Sequence, residues 1–218
     1  DERGSMDCIR KQTIMGCNED LNTIKVAQNE HKETQDHYVS VYAFQSDGAP
    51  SRYLIQNESP DKVKHITKND YKPCGCTPLY DAIGITVNSL REIVKTHKHA
   101  IGSVTIITDG MENSSKEYNH KQVSEMIKQL KEAGWNFNFI GANIKVEKVS
   151  RSMNIDNSME FEQNSEGTRA MFEKEKKSRS RWFHRVEECV SCMFEDTSDE
   201  EFARNMSETT KGYYNEDK

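Results

Sequence analysis

Three short segments, far apart in the chain, carry oxygen-bearing side chains of the kind that hold a hard cation. Asp1-Glu2-Arg3-Gly4-Ser5-Met6 offers the Asp1 carboxylate and the Ser5 hydroxyl. Cys76-Thr77-Pro78-Leu79-Tyr80-Asp81 offers Thr77, and Thr105-Ile106-Ile107-Thr108-Asp109-Gly110 offers Asp109. Two carboxylates and two hydroxyls, with water completing the shell, suit an octahedral Mg²⁺, with Mn²⁺ or Ca²⁺ as substitutes. Each segment alone is a weak signal; their order and surroundings carry the argument.

The elements that must position these residues are read from periodicity. Ile14, Cys17, Leu21 and Ile24 mark one face of a helix over residues 6–30. His37 to Phe44 is β-branched and aromatic and predicts a strand. Asp47-Gly48-Ala49-Pro50 predicts a turn into a hairpin partner over residues 51–56. Residues 57–76 are polar and irregular, with Pro60 and Pro73. Leu79, Ile83, Val87, Leu90 and Val94 predict a helix, with Pro78 suited to its first turn. Ser103 to Thr108 reads as a strand covered on both faces. A helix around Val123 to Leu130 ends at Gly134. A strand over residues 135–140, a short helix over 146–153 and an edge strand over 159–161 follow. Residues 165–187 form a charged helix. Its Lys174-Glu175-Lys176-Lys177 and Arg179-Ser180-Arg181 read as a solvated face, while Trp182 and Phe183 are expected to dock it.

This alternation predicts an α/β fold: an open, mostly parallel, doubly wound sheet with helices on both faces. Residues 1–185 would form the domain, and 186–218 an acidic C-terminal extension, weakly packed or disordered. In such sheets ligands gather beyond the carboxyl ends of the strands. Asp109 ends a buried strand, Thr77 precedes a helix N-terminus, and Asp1 and Ser5 precede the first helix. All three segments therefore reach one rim.

Composition narrows the function. The chain has 218 residues, 30% charged and 34% apolar, with mean hydropathy −0.89, enough for one core with material outside it. A net charge of −6 would repel duplex DNA and argues against nucleic-acid binding. No run approaches the roughly 18 apolar residues of a membrane span. Six cysteines are too few for a disulfide scaffold, so reduced thiols in the cytoplasm are expected. Cys74-Gly75-Cys76 with Cys189-Val190-Ser191-Cys192 could be combined into a zinc site; ordinary packing is the simpler reading.

The three segments resemble the von Willebrand factor A-like domains with a metal-ion-dependent adhesion site, whose motif is Asp-x-Ser-x-Ser, a loop Thr and a later Asp. Thr13-Ile14-Met15-Gly16-Cys17-Asn18, Thr77 to Ile83, Ile107 to Asn113, Phe139-Ile140-Gly141-Ala142-Asn143-Ile144 and Ser165-Glu166-Gly167-Thr168 are similar to a stand-alone prokaryotic and phage branch. The resemblance covers residues 1–185. It implies that Ser5 and Thr77 bind the metal through their hydroxyls and that Asp1 and Asp109 bind it directly or through water. One position would stay open for an acidic side chain of a partner protein, without catalysis.

Two features depart from the family. Arg3 stands in the place of a metal-binding Ser, and a guanidinium has no lone pair to give. It could turn to solvent, or reach Asp1 or Asp109 and replace the cation. The family's first, central strand would precede Asp1, where this sequence has no residues, so its neighbours are expected to present open edges. A metal-free interaction scaffold is therefore the main rival. A Mg²⁺-dependent phosphohydrolase is a weaker one, because no phosphate-binding Gly-x-x-x-x-Gly-Lys-Ser/Thr loop, His-Glu-x-x-His or Gly-x-Ser-x-Gly is present.

Overall fold

A computed structural model describes residues 1–46, 50–194 and 196–215. It is a mixed α/β protein. Six α-helices, α1 (Arg10–Glu30), α2 (Leu79–Val94), α3 (His120–Glu132), α4 (Val146–Ser152), α5 (Ser165–Ser191) and α6 (Asp199–Thr209), accompany five strands among the described residues. β1 (Val39–Ala43) and β2 (Arg52–Glu58) form an antiparallel pair. β3 (Ser103–Thr108), β4 (Asn136–Gly141) and β5 (Asn157–Glu160) form a parallel sheet in that order. Of the expected turn, residues 47–49 lie outside the described residues.

The parallel sheet carries an apolar core on each face. Phe137 and Phe139 of β4 pack with α2, α3 and α4 through Val87, Ile127 and Val146. Ile140, the next residue along, packs with α1, α5 and α6 through Leu21, Phe172 and Met206. This alternation is the period-2 rule of a strand buried on both sides. β3 differs from the expectation of a covered strand: it is the edge of its sheet, and four of its six residues are half-buried. The first residues of the chain bridge β3 and the β1–β2 pair. The Asp1 nitrogen donates to the Ile107 carbonyl at 3.1 Å, and the Glu2 N–H donates to the Phe44 carbonyl at 2.9 Å.

Most elements fall where periodicity predicts. The first helix is split: Gly4–Ile9 is a 3₁₀ turn, and Ile9, at φ −115°, interrupts it before α1. Gly16 lets α1 and α5 close, since a Cβ there would sit 2.0 Å from the Phe172 ring. Gly134, at φ +86°, ends α3 in the left-handed region that glycine adopts without strain.

Two expectations are overturned. Glu175 and Arg179 are not on a solvated face. Glu175 is 0% exposed, and its carboxylate accepts hydrogen bonds from Arg179 at 2.6 Å, Tyr214 at 2.8 Å and Tyr213 at 3.2 Å. Both residues fall on the stripe of Met171, Phe172, Trp182, Phe183 and Val186 that faces the core. The extension is not weakly packed either. Phe202, Met206, Tyr213 and Tyr214 are buried in the same core, and Trp182 donates to Thr209 at 3.1 Å. The tail is anchored because its tyrosine hydroxyls satisfy a carboxylate that burial would otherwise leave costly.

Asp20 completes this cluster, 3.0 Å from Arg179 Nε. Two carboxylates share one guanidinium there. Burial, with the Glu175 charge adding to it and Arg179 opposing, pushes the Asp20 carboxyl up to about 6 from its ordinary 3.8. A carboxyl whose folded value is raised costs stability above that value and regains it as pH falls toward the unfolded value. Relative to Asp20→Asn, the wild type is therefore expected to gain stability as pH drops from 7 to 4. Urea unfolding of both proteins across that range checks it; a constant difference would contradict the assignment.

Candidate metal site at the sheet rim

The three segments reach one rim. Asp109 follows the last residue of β3, and Thr77 lies two residues before α2. Ser5 sits in the 3₁₀ turn that leads to α1. Arg3, Ser5, Asp109, Gly110, Asn113 and Asn143 line one cleft of about 400 Å³. Thr77 is tied to that lining: its N–H donates to Asn113 Oδ1 at 2.9 Å, and the Asn113 N–H donates to the Thr77 carbonyl at 3.2 Å.

Two oxygens at this rim are buried without a hydrogen-bond partner. Thr77 is 0% exposed and Asp109 3%, and neither Thr77 Oγ1 nor Asp109 Oδ1 is paired. Buried polar atoms are nearly always paired, so two orphans in neighbouring loops call for an explanation. A cation ligated by a hydroxyl and a carboxylate is one that fits these atoms.

The other predicted residues fit less evenly. Ser5 is exposed at the cleft mouth. Both Asp1 carboxylate oxygens are occupied, Oδ1 by the Arg3 N–H at 2.8 Å and Oδ2 by the Thr108 hydroxyl at 2.7 Å. Asp1 therefore shapes the turn, and among the described residues it is not part of the cleft lining. Arg3 takes neither expected course. It forms no ion pair within 4 Å among the described residues, and it lies over Gly110, where a Cβ would meet Nη1 at 2.1 Å. Glycine leaves room for the guanidinium inside the cleft.

Three supporting side chains were not legible as parts of the site. Gln163 joins two corners: its amide nitrogen donates to Asp109 Oδ2 and to the Ser5 carbonyl at 2.8 Å. Its oxygen accepts from Asn143 at 2.5 Å. Glu2 is 0% exposed and binds Arg52 through both carboxylate oxygens, at 2.7 and 3.1 Å. The Lys72 N–H also donates to it, at 2.5 Å. Tyr71, whose hydroxyl burial holds well above its ordinary range, donates to the Asp1 carbonyl at 2.7 Å.

Asp81 and Glu112 face away from any cation role. Asp81 accepts the N–H groups of Lys116, Glu117 and Tyr118 at 2.8 to 2.9 Å. Glu112 accepts from the Tyr80, Ser114 and Ser115 N–H groups at 2.7 to 2.9 Å. Together they fasten the loop after β3 to the start of α2, which sets Asp109 and Thr77 in register. The four cysteines considered for zinc do not gather: the sole group of three His, Cys, Asp or Glu donors among the described residues is Glu30, His31 and His184.

No protein-family model matches this chain, and none of the curated proteins compared with it does.

Asp81→Ala leaves three loop N–H groups without their acceptor. It is expected to cost on the order of 1–3 kcal/mol in urea unfolding. Asp81→Asn, which keeps one acceptor oxygen, should cost less; equal losses would argue against the hydrogen bonds as the cause.

Proposed function

We propose that this chain is a von Willebrand factor A-like binding module, its parallel strands part of an open doubly wound sheet, that takes an acidic side chain of a partner protein at the rim cleft. The observation that carries the proposal is the pair of buried, unpartnered oxygens, Thr77 Oγ1 and Asp109 Oδ1. Thr77, Asp109 and Ser5 would hold a divalent cation such as Mg²⁺, and Asp1 would act on it through water. When bound, the cation supplies a positive centre with exchangeable water positions that a carboxylate can enter. The chain's own residues do the rest. Gln163 and Asn113 orient Asp109 and Thr77, and Met111, 63% exposed, offers apolar contact at the mouth. No bond-making step is assigned to any residue. The unpaired state of the six cysteines supports a reducing compartment such as the cytoplasm, and the resemblance to the prokaryotic and phage branch points to a bacterial or phage-infected cell. Among the described residues no helix is long and apolar enough to cross a membrane.

A second reading rests on Arg3. Its guanidinium lies in the cleft without an ion pair among the described residues and could itself take a carboxylate by two parallel hydrogen bonds. The chain would then be a metal-free scaffold using the same cleft.

Isothermal titration with Mg²⁺ and Mn²⁺ separates the two. Cation binding by the wild type that weakens about tenfold or more in Thr77→Ala is the expected result. No heat with the wild type, and a signal in Arg3→Ser, would favour the scaffold. No binding in either would remove the cation from the account.

A further inference from the structure

A second set of metal-competent side chains lies away from the rim, where the end of α1 meets α5. Glu30, His31 and His184 each bring one donor atom within 4.8 Å of the others. Glu187 joins them: its Oε2 is 2.9 Å from His31 Nδ1 and 3.9 Å from His184 Nδ1. The two imidazoles meet edge to face, with centroids 4.7 Å apart. A pocket of about 270 Å³ opens beside Glu30, His31 and His184.

An independent observation points to a ligand. His31 is 3% exposed, yet its Nδ1 has no hydrogen-bond partner. Its approach to Glu187 has the length of a hydrogen bond without the direction. A buried ring nitrogen facing a carboxylate at that distance is costly unless a proton or a cation stands between them. The fold holds the donors in place. His31 caps the C-terminus of α1, its N–H bonded to the Ala27 carbonyl, and that end of a helix favours positive charge. His184 and Glu187 are three residues apart on α5 and share a face.

We propose that Glu30, His31, His184 and Glu187 bind a transition-metal ion of the zinc class, which clamps the end of α1 to α5. The chemistry selects the ion. Two imidazoles and two carboxylates suit a tetrahedral Zn²⁺ at roughly 2.0–2.2 Å. Mg²⁺ and Ca²⁺ prefer oxygen alone, so this site and the rim cleft take different metals. Tetrahedral ligands at such lengths stand about 3.3 Å apart; Glu187 already lies 2.9 and 3.9 Å from the two ring nitrogens, and the Glu30 donor lies within 4.8 Å of those of the histidines. Glu30 and His184 are exposed and free to close the remainder by side-chain rotation. Lys176 also borders the pocket, but it is exposed and its ammonium stays in water.

Cobalt titration of the full chain tests this, because four-coordinate Co²⁺ shows visible d–d bands and thiolate ligation adds a strong near-ultraviolet band. The expected result is d–d absorption without the thiolate band, displaced by Zn²⁺ and not by Mg²⁺. His184→Ala and Glu187→Gln should each weaken binding about tenfold or more, with the circular dichroism of the wild type retained. Thr77→Ala should leave it unchanged, which keeps the result independent of the rim cleft. Zn²⁺ should also raise the melting temperature of the wild type and not of His184→Ala. A thiolate band, no cobalt uptake, or equal affinity in His184→Ala and the wild type would overturn the proposal.

Discussion

The fully buried carboxylate of Glu2, gripped by Arg52 through both oxygens, is the interaction on which the rim depends. A buried carboxylate is tolerated only when its oxygens are satisfied and its charge is paired. Glu2 meets both conditions with Arg52 from β2, Gln45, and the Lys72 N–H. Its own carbonyl accepts from the Cys74 N–H at 2.6 Å. Asp1 and Arg3, on either side of it, are thereby held between the two sheets. Loss of Arg52 would leave an unpaired charge in the interior.

The remaining corners are fixed by shorter-range bonds. Gln163 couples Ser5 to Asp109 from the start of α5, and Asn113 couples Thr77 to the loop after β3. Asp81 and Glu112 staple that loop to α2. The cleft is thus built from loops, but each is tied to a helix or strand that belongs to one of the two cores. Such cross-ties hold the loops that carry Thr77 Oγ1 and Asp109 Oδ1, the two buried oxygens left unpaired.

Much of this was legible in the sequence. The α2 stripe, the Ser103 to Thr108 strand and the Gly134 stop follow from local pattern, because periodicity and left-handed backbone leave a direct mark on residue type. That Ser5 and Asp109 line one cleft, with Thr77 bonded to its Asn113, follows from their places at element ends. What was not legible is long-range polar pairing. Glu2 carries no local sign of being buried, since its partner Arg52 lies 50 residues away. Gln163 is an ordinary loop residue until two loops close on it. Glu175 and Arg179 were hidden in a run of charges, although their four-residue spacing on the Phe172–Trp182 stripe was a signal available to a reader who allowed charge inside. The tail followed the same rule: its acidic composition masked Phe202, Met206, Tyr213 and Tyr214, which face inward at helical or adjacent spacing. Asp1, expected as a direct or water-mediated ligand, accepts from the Arg3 N–H and the Thr108 hydroxyl, bonds of turn geometry that residue type does not reveal.

Anomalous scattering from crystals grown with Mn²⁺ tests the central claim, that three separate loops direct oxygen ligands to one cation, more directly than any binding curve. The account predicts an anomalous peak in the rim cleft in contact with Thr77 Oγ1 and on the Asp109 side of the pocket, with Arg3 displaced from Gly110. Density for the Arg3 guanidinium in that cleft with no peak beside it, or Mn²⁺ found only elsewhere on the molecule, would contradict it.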